Sequence, residues 1–148
     1  MKGKIIFLSL FLLLTTEAVS SQNKNAPQSI ISTTAIIRKY HTQDELKAMQ
    51  KGELLDLYIE RIKVLTKTLP YIALATKPGV TMADLGIPMD NENKKIQDSQ
   101  VVATTTYLDT TVEFQRKMMP YSDKDNLVAA ILFYENTIKS LHLFNEYN

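Results

Sequence analysis

Apolar residues recur at alternating steps of three and four along most of this chain, in three runs punctuated by proline. That period puts the apolar side chains of an α-helix on one face. The first run is Leu55, Tyr58, Ile62, Leu65 and Leu69, widened by Leu54, Leu57 and Ile59, and Pro70 then stops or kinks it. The second is Ile96, Gln100, Ala103, Tyr107, Thr111, Phe114 and Met118, with a companion row at Val101, Leu108, Val112 and Met119. Its middle, VVATTTYLDTTVEF, is β-branched enough to favour a strand, but a helical period held over several turns outweighs that propensity. The third run, after Pro120, is Leu127, Ile131, Tyr134, Ile138 and Leu141.

Capping signals fix where these helices start. Thr42-Gln43-Asp44-Glu45 reads as a capping box, Asp90-Asn91 offers a cap to the second helix, and Ser122-Asp123-Lys124-Asp125 offers one to the third. Gly52 is a weak point in a helix interior, costing about 1 kcal/mol relative to alanine, and a break there would make 43–51 a short fourth helix. The link at Pro120 is so short that the helices on either side must run antiparallel. The expected fold is all-α, an up-down-up antiparallel three-helix bundle over residues 42–148.

The N-terminus carries a different signal. Lys2 and Lys4 precede the apolar run IIFLSLFLLL, and small residues follow at Ala18 and Ser20. Residues 1–20 therefore read as a secretory signal peptide, since the run is too short to span a bilayer, which takes roughly 20 residues. The chain has 17 basic and 16 acidic side chains; losing Lys2, Lys4 and Glu17 with the leader leaves it formally neutral. No basic face for nucleic acid is evident. Cysteine is absent, which excludes disulfides, a lipid-carrying thiol and covalent haem. With no Asn-x-Ser/Thr site after the leader, the expected location is a bacterial periplasm or the exterior.

Catalytic sets are missing at the level of residue type. The chain offers only His41 and His142, no thiol, and no phosphate-cradling glycine loop. His142 with Glu146 is half a metal site, and a site needs three or four ligands. Met49, Met118 and Met119 with His142 supply the residue types for noncovalent haem, but the expected topology separates Met49 from His142. The expectation is a non-enzymatic protein with no cofactor and no metal.

Two segments remain to be explained. Pro70 to Met89 supplies twenty residues where antiparallel helices need about 2–8. Pro78-Gly79 marks a turn, Thr81-Met82-Ala83-Asp84 matches a capping box, and Gly86 suits a helix C-cap. Val80, Met82, Leu85, Ile87 and Met89 make this an apolar loop, with Tyr71 at its start. It reads either as a lid on the core or as a surface for a protein partner. Residues 21–41 form an expected flexible or extended arm, in which Ile30, Ile31, Ile36 and Ile37 either pack on the helices or are offered to a partner. The sequence thus points to an exported helical protein that binds another protein, such as an accessory or assembly factor of a cell-envelope machine. The alternative is a carrier holding a small apolar ligand within the bundle.

Overall fold

A computed structural model describes residues 27–146, with side chains through Leu143; the expected signal peptide lies outside the described residues. Four helices follow one another: α1 (Gln43–Ala48), α2 (Lys51–Thr68), α3 (Asn91–Met118) and α4 (Lys124–Glu146). Among the described residues there is no strand, and one isolated bridge joins Ser29 to Thr81. The protein is all-α, with three long helices and one short one.

Local chemistry explains the boundaries. The Thr42 hydroxyl accepts from the Glu45 amide, while the Glu45 carboxylate accepts the Thr42 N–H at 2.8 Å. The backbone turns extended at Met49, and a second start follows at once, with the Gln50 N–H donating to the Glu53 carboxylate at 2.7 Å. The short fourth helix therefore exists, but the break falls at Met49-Gln50 rather than at Gly52. Gly52 lies in the first turn of α2, where an added side chain would meet open space. Asp90 caps α3 by accepting from the Asn93 amide at 2.8 Å. Short 3-10 turns at Leu69–Tyr71 and Met119–Tyr121 absorb the two prolines.

The core is built around α2. Leu54 of α2 joins Leu46, Leu127, Val128 and Ile131 in one buried cluster, and Val64 and Leu65 join Ile138 in another. Two lysines fasten the turns, Lys51 donating to the Pro120 carbonyl at 2.6 Å and Lys124 to the Lys47 carbonyl at 2.7 Å.

Between the apolar clusters lies a buried polar knot. Arg61 of α2 donates from Nε and Nη2 to Glu135 Oε1 at 3.0 and 2.7 Å, and His41 Nδ1 approaches the same oxygen at 3.1 Å. The other oxygen, Oε2, accepts the His41 backbone N–H at 2.7 Å. Arg61 Nη2 also donates to the Lys39 carbonyl at 2.7 Å. Arg61 and Glu135 are each 1 % exposed. Burial pushes the Glu135 carboxyl up, but the His41 amide and the Arg61 guanidinium outweigh that and hold it below the ordinary range. A buried charge pair is tolerable only when its hydrogen-bonding capacity is met in this way. The knot ties the arm to α2 and α4.

The α3 helix departs from expectation. Its buried residues are Leu108 and Gln115; of the companion row, Leu108, Val112 and Met119 face inward while Val101 is 41 % exposed. The expected core stripe faces solvent: Ile96 is 61 % exposed, Tyr107 56 %, Phe114 58 % and Met118 46 %. Tyr107 is one residue from Leu108, about 100° around the helix, so α3 is turned by roughly a quarter relative to the reading from periodicity. It rests mainly on α2, and one neighbour covers only a narrow face.

Candidate functional site

The segment between α2 and α3 is folded throughout. Gly79 takes φ +93°, a value only glycine adopts freely, and its N–H donates to the Ile31 carbonyl at 3.0 Å. Thr81 and Asp84 form the expected box: the Asp84 carboxylate accepts the Thr81 N–H at 2.8 Å and its hydroxyl at 2.7 Å. Those bonds, the backbone one first, lower the Asp84 pKa. A 3-10 turn at Ala83–Leu85 ends at Gly86 with φ +71°. The Ile30 N–H donates to the Val80 carbonyl at 2.7 Å, and Gln97 of α3 reaches the Gln28 carbonyl at 3.2 Å. Arm, loop and the first turns of α3 are thereby sewn together.

The structure sorts the sequence-derived residues into four places. Ile31 is fully buried with Ala35 and Ala75, and Ile30, Tyr71 and Val80 pack against that cluster. Met82, 6 % exposed, lines a cavity of about 460 Å³ with Ile30, Tyr71, Ile87, Ile96 and Val101. Leu85 and Met89 stand at the surface, 36 % and 38 % exposed. Ile36 and Ile37 do not join this group: Ile37 packs beside Val64, Leu65 and Ile138, and Ile36 is 44 % exposed on the arm.

From this cavity an apolar surface continues along α3. Ile96 and Gln100 line its wall, and the exposed stripe proceeds through Ala103, Tyr107 and Phe114 to Met118. At 1.5 Å per residue, 96 to 118 spans about 33 Å. No charged residue lies on this stripe. Arg116 and Lys117 point elsewhere, pairing with Asp56 at 3.2 Å and Glu113 at 2.7 Å. Beside the stripe, Tyr58 and Tyr134 meet with their rings tilted by 40° at 5.6 Å between centroids, and Phe133, 67 % exposed, meets Tyr134 at 5.9 Å. Burial and then the Tyr58 hydroxyl push Tyr134 up to about 12, with Tyr107 adding to the shift. Leu69 at the end of α2 and Ile72 and Leu74 in the loop are exposed as well.

Among the described residues no three His, Cys, Asp or Glu side chains are arranged to hold a metal ion, and no helix is long and apolar enough to cross a membrane. His41 is occupied by Glu135, and His142 is exposed.

Sequence reasoning passed over Arg61 and Glu135, although a signal was there. Arg61 is flanked by Leu57, Val64 and Leu65, and Glu135 by Ile131 and Ile138, all at steps of three or four. Charges embedded in the apolar register of two different helices identify a buried pair. No protein-family model matches this chain, and comparison with curated proteins and with solved structures finds no match to it.

Proposed function

We propose that this is an exported, non-enzymatic helical protein that binds another protein along α3 and the adjoining loop. One observation carries the reading: an uncharged, mainly apolar stripe about 33 Å long faces solvent on a helix that buries Leu108 and Gln115. Exposed apolar side chains gathered on one face mark interaction sites. Its residue types support the same reading, because Tyr, Phe and Met are enriched in protein interfaces. The partner element that fits is an amphipathic helix, whose own anchors at i, i+3, i+4 and i+7 would lie along Tyr107, Phe114 and Met118. The two ends of α3 are pre-organised, since the Asp90 cap, the Gln97 bond to the Gln28 carbonyl and the Lys51 bond to the Pro120 carbonyl hold them before any partner arrives. Joined to the expected leader and the lack of cysteine, this surface supports a role as accessory or assembly factor in a bacterial envelope.

The test is site-specific photocrosslinking in the native envelope. A photoreactive side chain at Tyr107 or Phe114 should give a discrete adduct with one protein, while the same group at Asp109, on the charged side of α3, should not. Equal adducts at all three positions, or none, would count against the proposal.

A second reading rests on the cavity of about 460 Å³, within the range of small-ligand pockets, roughly 300–1,000 Å³. Its wall of isoleucines, Tyr71 and Met82 suits an apolar molecule, held beneath the loop rather than along the bundle axis. Native mass spectrometry of the purified protein would reveal such a ligand as added mass, and Met82→Arg should abolish it.

A further inference from the structure

We infer that the cleft between the arm and α2 is a separate binding site, for a small organic molecule carrying a phosphate group. The cleft measures about 560 Å³ and is lined by residues 34–41 on one side and 57–67 on the other. Folding brings five cationic side chains to it, Arg38, Lys39, Arg61, Lys63 and Lys67, against a single acid, Glu60. The whole chain has nearly equal numbers of the two signs, so this is a local excess that the sequence shows only as scattered residues.

The five cations have different duties. Arg61 is spent on Glu135 and Glu60, and Lys39 pairs with Glu45 at 3.1 Å. Arg38, Lys63 and Lys67 form no ion pair among the described residues. Lys63 and Lys67 are one turn apart on α2, where like charges repel, and Arg38 faces them from the arm. A concave site concentrates such a field and raises its attraction for counter-charge. Phosphate monoesters carry about −1.5 to −2 charges near neutrality, which answers three free cations better than one carboxylate does. Apolar contacts complete the match: Leu57 and Val64 rise from α2, and Ala35 and Ile36 from the arm. The ligand is therefore amphipathic, with a phosphate head and an apolar body. The cleft is also held in shape, because the Arg61 bond to the Lys39 carbonyl fixes the arm wall on α2 and the His41 bond to Glu135 fixes it on α4.

A soluble phosphate monoester and a phospholipid headgroup share this chemistry, and two probes separate them. Titration calorimetry with phenyl phosphate reads the soluble case. Flotation with phosphatidylcholine vesicles doped with phosphatidic acid, against pure phosphatidylcholine, reads the lipid case. At least one probe should bind in a salt-sensitive way, and Lys63→Glu with Lys67→Glu should weaken it by about tenfold or more. Lys94→Glu with Lys95→Glu makes the same charge change on α3 and should leave binding within about twofold, since those charges lie outside the cleft. Arg38→Ala, on the arm, provides a second variant in case the α2 pair perturbs folding, which circular dichroism would report. No binding of either probe at millimolar phosphate would overturn the inference. So would equal loss in the cleft and α3 charge-reversal variants. The site does not depend on the protein-binding surface, so either can fail alone.

Discussion

The helices α3 and α4 lie against the same central helix and are of similar length, 28 and 23 residues, yet they are held in opposite ways. The α4 helix buries Leu127, Val128, Ile131 and Ile138 and anchors the polar knot through Glu135. The α3 helix buries one leucine and one glutamine, and leaves its strongest apolar stripe to solvent. The difference comes from neighbours. α4 meets α1, α2 and the arm, whereas α3 meets chiefly α2, with the arm and loop at its start. Helical periodicity reveals which face is apolar; the number of neighbouring elements decides which face is covered. Where the two disagree, the excess apolar face is available for another molecule.

Perturbations ranked by size can break this contrast. The largest effect should come from the knot on the α4 side. Glu135→Ala leaves Arg61 buried with only the half-exposed Glu60 as counter-charge and should cost about 3 kcal/mol or more in urea unfolding. Arg61→Met with Glu135→Leu should recover most of that loss, because an apolar replacement removes both desolvation penalties. The folded pKa of Glu135 is depressed, so its contribution is present above the unfolded glutamate value, about 4.3. It should be lost as pH falls through the lower folded value, and Glu135→Gln should show a flatter acid limb.

Core truncation comes next. Ile131→Ala should cost about 3–4 kcal/mol, and Leu108→Ala on α3 about 2 kcal/mol, since a thinly covered site relaxes more easily. Equal costs would mean that α3 is held as firmly as α4.

A smaller effect of opposite sign is expected at Gln115, whose Oε1 is buried without a hydrogen-bond partner. Gln115→Met keeps the volume, removes the orphaned oxygen and should raise stability by up to about 1 kcal/mol. Least of all, Tyr107→Ser and Phe114→Ser should each change stability by no more than about 0.5 kcal/mol, as exposed substitutions do.

Much of the local structure was legible in the sequence, because caps and turns are short-range chemistry. Thr42, Thr81 and Asp90 cap where their side chains permit, and Gly79 and Gly86 take the positive φ that their positions require. The rotation of α3 was not legible. Its two apolar rows are about 100° apart, and choosing between them needs the direction of α2, a long-range fact. The Arg61–Glu135 pair was visible in register but not in pairing, since 74 residues separate the two. The basic cleft was hidden for the same reason: Arg38-Lys39 reads as a solvated pair until the fold sets it opposite Lys63 and Lys67.

The most direct test of the α3 surface measures stability and complex formation on one variant, Tyr107→Asp with Phe114→Asp. An unchanged urea midpoint is expected, together with loss of the protein adduct captured by crosslinking at Met118. A lowered midpoint would place the stripe in the core, and an adduct that survives with the midpoint unchanged would place the interface elsewhere.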